Sequence, residues 1–171
     1  ATSGKTSDQA MVFDRIYNLS TNGFSRAGYK FAYWKDSNGT TFTNRQQVKN
    51  LCTRNGDTKN LYAQWTPNKY IIRYNGNNST TGSMSDQNMT YDVANNLATN
   101  AFERTGYQWK GWARSSTSAV SYGQNDSVKN LTSVDNGIVN LYASWEANKY
   151  IIVFDKNSLA ATGTMESQQM Q

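Results

Sequence analysis

GSMSDQNMTYDVANNLATNAFERTGYQWKGW, from Gly82 to Trp112, decides how this chain is built, because the chain states it twice. Gly4 to Trp34 reads GKTSDQAMVFDRIYNLSTNGFSRAGYKFAYW, the same phrase without a gap, 78 positions earlier. Working outward, VKNL at Val48–Leu51 and NLYAQWTPNKYII at Asn60–Ile72 return as VKNL at Val128–Leu131 and NLYASWEANKYII at Asn140–Ile152. A third statement begins at Lys149 and restates Lys69 to Thr90. A fixed period of this size marks a tandem array, an architecture suited to length and surface rather than to one deep active site.

The period divides the 171 residues into a first repeat at 1–68, a second at 69–147, and the opening strand of a truncated third at 148–171. The sequence is therefore expected to be a piece of a longer protein. A unit of about 80 residues buries only roughly 60 to 65% of its unfolded surface, so each copy folds with a thin margin. Eleven Tyr, six Phe and five Trp supply much of that core.

Several chemistries are excluded by composition. With no histidine and one cysteine, the chain can assemble neither a Cys/His metal site nor a histidine-activated nucleophile. No catalytic residue, cofactor or metal site is expected. Cys52 is matched by Thr132, so the fold needs no thiol there, and it reads as an incidental half-buried residue. No run reaches the roughly 18 apolar residues of a membrane span, and nothing resembles a signal peptide.

Each copy reads as short strands joined by polar turns. Tyr29, Phe31 and Tyr33 alternate with Lys30, Ala32 and Trp34, and Tyr107, Trp109 and Gly111 with Gln108, Lys110 and Trp112. Leu61, Ala63 and Trp65 are matched by Leu141, Ala143 and Trp145, while Tyr70–Tyr74 and Tyr150–Phe154 are the most apolar strands. Asn-Gly pairs at 38–39, 55–56, 75–76 and 136–137 favour tight turns. Thr43-x-x-Gln46 and Ser121-x-x-Gln124 have the form of capping boxes, each followed by apolar Val48/Leu51 or Val128/Leu131. They predict a helix of two or three turns, or a helical turn, per repeat. The expected class is α+β, dominated by strand.

In order, G-x-M-S-D-Q, N-L-x-x-N-x-F-x-R-x-G-Y-x-[FW]-x-x-W, L-Y-A-x-W and K-Y-I-I-x-[FY] carry a resemblance. Gly82, Met84, Asp86, Asn96, Phe102, Arg104, Gly106, Tyr107 and Trp112 hold it in the second copy, with equivalents from Gly4 to Trp65 in the first. The chain resembles the Listeria–Bacteroides repeat, the family that includes the internalin B-type repeats of bacterial surface proteins. The resemblance implies small β-grasp-like modules in tandem on exported, often wall-attached proteins, serving as a stalk or in adhesion. Two places depart from the pattern: Tyr33 stands where Gly111 does in the other copy, and the turn after the K-Y-I-I strand reads Arg73-Tyr74-Asn75-Gly76.

Positions shared by both copies are assigned to folding. Tyr29/Tyr107, Trp34/Trp112 and Trp65/Trp145 are expected in the core or between repeats. The carboxylates Asp8 and Asp14, like Asp86 and Asp92, bracket a strand and recur; the Asp of the S-D-Q turn, Asp8 or Asp86, reads as an acceptor of backbone hydrogen bonds, and Arg26 and Arg104 as structural. Ligand candidates are sought where the copies differ. Residues 1–68 hold nine Lys/Arg against four acids, whereas 69–147 balance six against six. Lys30, Tyr33, Lys35 and Lys49 are therefore the candidate residues for an anionic polysaccharide or wall polymer, with Tyr17 a further private aromatic.

The expected partners are neighbouring repeats of the same protein and a host-surface or wall glycan. Strand exchange between chains through Tyr150–Phe154 is also expected, as is placement of that strand in the first copy of the same chain; nucleic acid is not. The expected location is extracellular, on a bacterial surface.

Overall fold

The computed structural model describes residues 3–155, 157, 160 and 162–170; the remaining positions of the predicted third repeat, 156, 158, 159, 161 and 171, lie outside the described residues. Among the described residues there are strands and turns and no helix. The strand-dominated part of the expectation holds, and the helix does not.

The reason is local. The left-handed Arg45 (φ 60°) and Asn50 (φ 54°) stand too close together for two helical turns between them, and Asn125 (φ 58°) and Asn130 (φ 56°) do the same in the second copy. Gln46 still reaches back, its Oε1 accepting the Thr43 N–H at 2.8 Å, but it closes a turn rather than a helix. Its counterpart is not Gln124: the Gly123 N–H donates to Asp126 Oδ2 at 2.7 Å. The Ser121 box was thus misaligned by two residues.

The chain divides into two compact units. One comprises Ala1–Ile71, Asn88–Asn95 and Val128–Val139; the other comprises Ile72–Gln87, Asn96–Ser127 and Asn140–Gln171. The first holds β1 (Ser3–Gly4), β2 (Ile16–Asn18), β3 (Phe24–Ser25), β4 (Tyr29–Lys35), β5 (Thr41–Phe42), β6 (Gln47–Lys49) and β7 (Tyr62–Pro67), then the start of β8 (Lys69–Asn75) and most of β9 (Gln87–Thr90). Its sheet has the order β5-β4-β7, with β1 on β3 and β2 on β6 as separate pairs and β9 beside β8. After β10 (Asn95–Asn96), the second unit carries β11 (Tyr107–Ala113), β12 (Val120–Tyr122), the start of β13 (Ser127–Val128), most of β14 (Gly137–Ala147), β15 (Tyr150–Ile152) and β16 (Gln168–Met170). Its sheet runs β12-β11-β14-β8, and β15 pairs with β16. The tail strand is therefore matched with the tail itself and not with the first copy of the same chain.

One bulge governs which side chains face inward. On β4, Phe31 lies opposite Trp65 but Tyr33 opposite Gln64, so Ala32 is an extra residue. On β11, Trp109 faces Trp145 and Gly111 faces Ser144, leaving Lys110 extra. A bulge of this kind lets inward positions fall two and then three residues apart. Trp34 and Trp112 are buried as a result, and Tyr33 turns outward, the reverse of strict alternation.

In the first unit Leu19, Trp34, Phe42 and Val48 form the core, with Phe24, Phe31, Leu51, Leu61 and Ala63 packed on them. Phe31 tilts onto Trp34 at 5.0 Å and meets Trp65 edge-on at 6.0 Å. In the second, Trp112 is 0% exposed and is contacted by Tyr74 at 4.7 Å, Trp109 at 5.5 Å and Phe102 at 6.3 Å. Truncating a tryptophan so enclosed costs about 3–5 kcal/mol.

Candidate functional site

A cluster of polar contacts in the first unit lies where the first repeat hands over to the second. Gly28 precedes β4 in a left-handed conformation (φ 76°), and a Cβ there would stand 2.3 Å from ring carbons of Tyr91. Glycine is required because its bare α-carbon is what the Tyr91 ring rests against. Tyr29 opens β4, its N–H bonded to the Arg26 carbonyl at 3.0 Å and its ring under the Arg26 guanidinium at 3.7 Å. Arg26 thus acts through a cation–π contact. Tyr29 meets Tyr91 edge-on at 5.7 Å and donates its hydroxyl to Asp92 Oδ2 at 2.6 Å.

Asp92 is held for that contact. It is left-handed (φ 64°), donates its N–H to Asn130 Oδ1 at 2.6 Å, and accepts from Asn130 Nδ2 at 2.7 Å. The Tyr29 hydroxyl, and after it Asn130, keep its carboxyl below the usual carboxylate range, while the same bond raises the Tyr29 hydroxyl. The clasp recurs as Asp14 (φ 63°) with Asn50: the Asp14 N–H donates at 2.6 Å and Asn50 Nδ2 returns the bond at 3.1 Å.

Thr66-Pro67-Asn68, where the first repeat ends and the second begins, is built into this joint. Asn68 is buried; its N–H donates to the Gly28 carbonyl at 2.8 Å, its carbonyl accepts from Tyr91 N–H at 2.9 Å, and its Nδ2 donates to the Ser133 carbonyl at 2.7 Å. Beside it Lys30 Nζ pairs with Asp135 Oδ2 at 2.8 Å, and the Lys69 N–H donates to Asp135 Oδ1 at 3.2 Å. Lys30 is the main reason the Asp135 carboxyl lies below its ordinary value.

The four ligand candidates are only partly brought together. Lys30, Tyr33 and Lys35 lie on β4, with Tyr62 opposite Lys35 and also exposed. Lys49 lies on β6, which pairs with β2 instead, and it bonds Asp14 at 3.1 Å. Lys59 pairs with the buried Asp36 at 2.6 Å. Two of the four candidates are thus spent in ion pairs, whereas Lys35 enters none among the described residues. Tyr17 accepts the Val12 N–H through its hydroxyl at 3.1 Å.

Of the recurring carboxylates, Asp14, Asp86 and Asp92 are engaged by neighbouring side chains. Asp86 takes both Arg73 Nε at 3.1 Å and Nη2 at 2.8 Å, a side-chain partner rather than the backbone donors expected. Arg73 above all keeps its carboxyl low, and Asn50 does so for Asp14. Carboxyls shifted in this direction are poorly suited to donate a proton near neutrality. Among the described residues no helix is long and apolar enough to cross a membrane, and no group of three or more Cys, Asp or Glu converges as a metal site.

Asp92, Asn130, Gly28 and Asp135 were not singled out from the sequence as joint residues. The signal available for the first three was their recurrence as Asp14, Asn50 and Gly106; for Asp135 there was none, since its equivalent is Asn55.

The family model of the Listeria-Bacteroides repeat domain matches residues 1–64 and 70–144. A protein of Evansella cellulosilytica named as a Gly-rich membrane protein is 29% identical over 150 residues, covering 84% of this chain. The chain spans 17% of that relative's length. No solved structure matches the chain significantly.

Proposed function

The chain belongs to the Listeria-Bacteroides repeat family, and from that premise we propose that it is a non-catalytic repeat segment of a bacterial cell-envelope protein, exported and serving as a stalk that holds other domains away from the surface. The observation that carries this reading is the joint around Asn68, where the connection between repeats is bonded on both sides instead of left as free chain. A connection so tied passes direction from one repeat to the next, as a spacer must. The relative's description as a membrane protein agrees with an envelope location. The β-grasp-like character of each module and a part in adhesion belong to the same proposal.

Small-angle scattering on chains carrying two, three and four repeats tests the stalk. A constant increase in maximum dimension per added repeat is expected; a dimension that stops growing would refute it. A second reading, recognition of anionic polysaccharide or wall polymer through Lys30, Tyr33, Lys35 and Lys49, is favoured by the exposed face of Tyr33, Lys35 and Tyr62. It predicts salt-sensitive retention on an anionic glycan that is lost in a Lys35→Gln, Tyr33→Ser chain.

A further inference from the structure

The second repeat holds a small polar hollow beside a loop of its own. Ala113–Ser127 runs 15 residues where its counterpart, Lys35–Gln47, runs 13. In the first copy Asp36 closes the shorter loop on itself, its Oδ1 accepting the Asn38 and Thr40 N–H groups at 2.9 and 2.8 Å. Arg114 takes that position in the second copy; it has no acceptor to offer and lies over the Tyr122 ring at 5.3 Å. Ser115 and Ser118 tie the longer loop instead, each N–H donating to the other's hydroxyl, at 3.0 and 3.1 Å. The loop then meets the turn after β8, where the Ser116 carbonyl accepts from Asn77 Nδ2 at 3.2 Å.

Asn77 is a fixed wall of the hollow. Its Nδ2 also donates to the Ala143 carbonyl at 2.9 Å, and Trp145 Nε1 holds the carbonyl of the preceding Gly76 at 2.9 Å. With both amide protons directed, Asn77 Oδ1 is left as an acceptor that bonds nothing among the described residues. The hollow, about 270 Å³, is lined by Asn77, Asn78, Arg104, Ser116, Thr117 and Ser144 among others, and by no carboxylate among the described residues. The side chains of Asn78, Thr117 and Ser144 enter no hydrogen bond among the described residues. Arg104 brings the charge, its guanidinium over the Tyr107 ring at 3.7 Å. A guanidinium held by its face keeps its in-plane N–H donors for an acceptor. Arg104 enters no ion pair among the described residues, and neither does Arg26 on Tyr29 in the first copy. Glu103, beside it in the chain, accepts from Thr81 Oγ1 at 3.2 Å instead.

We propose that this hollow binds a single uronic acid residue of a glycan, with the carboxylate on the Arg104 fork and the ring hydroxyls among Asn77, Asn78, Ser116, Thr117 and Ser144. The chemistry of the walls selects that class. A guanidinium fork matches a carboxylate, and an absence of acidic walls leaves nothing to repel it. The amides and hydroxyls both donate and accept, which suits a ring of hydroxyls and is wasted on a bare ion. The volume falls just below the roughly 300–1,000 Å³ of drug-sized sites, room for one ring rather than a chain of them.

The site belongs to the second repeat alone, because the first copy's loop is filled by its own Asp36 carboxylate. It shares no residue with Lys30, Tyr33, Lys35 and Lys49. The inference goes beyond the stalk reading and fails separately from it, since a stalk needs no ligand, and substitutions in one repeat tell the two glycan readings apart.

Titration of the isotope-labelled 171-residue chain with D-glucuronate, followed by amide chemical shifts in NMR, is the test. Saturable shifts are expected at Asn77, Asn78 and Ser116–Ser118, with a Kd on the order of 1 mM for so small a ligand. Methyl glucoside, which lacks the carboxylate, is expected to bind roughly tenfold more weakly or worse, and acetate, a carboxylate without a ring, to give no saturable shift there. Arg104→Lys keeps the charge without the fork and is expected to weaken binding roughly tenfold. Asn78→Asp tolerates the left-handed backbone (φ 68°) while setting a carboxylate on the wall, and is expected to abolish binding, whereas Asn78→Gly retains it in weakened form. Replacing Arg114–Val120 by the first copy's Asp36–Thr40, a loop that closes on itself, is expected to abolish binding in a chain that still folds by circular dichroism. Lys35→Gln is expected to leave binding unchanged. Absence of saturable shifts overturns the proposal, as do equal shifts with acetate, equal affinity for the neutral glucoside, or binding that survives the loop replacement.

Discussion

The Tyr29 hydroxyl donates to Asp92 at 2.6 Å, joining the first strand of one repeat's sheet to the left-handed corner of the next. The residues are 63 positions apart, and each is prepared for the other by its own neighbours, Arg26 and Asn130. Joint and fold are thus made from the same residues, and the first prediction separates them.

Gly28 and Gly106 carry nearly the same positive φ, 76° and 78°. Alanine at either pays the same backbone strain, of order 1 kcal/mol. Only at Gly28 does the new methyl strike Tyr91. Gly28→Ala is expected to lower unfolding free energy by about 1–2 kcal/mol more than Gly106→Ala. Urea denaturation of the two variants side by side measures this, and equal losses would refute the account of the joint.

Tyr29→Phe keeps the ring and its contacts with Arg26 and Tyr91 while removing the bond to Asp92. A drop of a few degrees in Tm is expected. In a double-mutant cycle with Asp92→Asn the losses are expected to be less than additive, since both remove one interaction. Additive losses would show that the two groups do not act on each other.

The pH dependence follows from the directions of the shifts. Asp36, Asp92 and Asp135 are held low, by Lys59, Tyr29 and Lys30 in the first place. Their contribution is complete above the ordinary carboxylate value of about 4 and lost as pH falls through their lower folded values. Tyr29 is raised, so its contribution is complete below about pH 10 and lost as pH rises through its higher folded value. Urea midpoints are expected to be flat between these limits and to fall on both sides. Tyr29→Phe should remove part of the alkaline loss and Asp135→Asn part of the acid loss. A midpoint unchanged from pH 7 to pH 2 would count against these ion pairs.

Gly111 and Tyr33 occupy equivalent positions, yet they are not interchangeable. A Cβ at Gly111 would stand 2.4 Å from Val120 and 2.6 Å from the Tyr122 carbonyl, and φ there is 149°. Gly111→Tyr is expected to destabilise by about 2–4 kcal/mol. Tyr33→Gly removes an exposed ring and is expected to cost about 1 kcal/mol, mostly from glycine in a strand. Thermal melts of the two variants give the comparison.

Comparison of the copies makes the repeat, the strands and most of the core legible in the sequence, because Leu61, Ala63 and Trp65 alternate with the period of a strand wherever they occur. Capping boxes at Thr43 and Ser121 misled, since a box describes how a helix begins and not whether one follows. Arg45 and Asn50, left-handed in place, ended that reading.

The facing of Tyr33 and Trp34 could not be read from alternation, because a bulge at Ala32 appears only when β7 is set beside β4. The joint was hidden for a related reason. Periodicity reports neighbours along one element, whereas Tyr29 with Asp92 and Lys30 with Asp135 meet 63 and 105 positions apart, after the intervening strands have paired. Local spacing settled which residues face a core. Which side chains join one repeat to the next was settled by long-range packing alone.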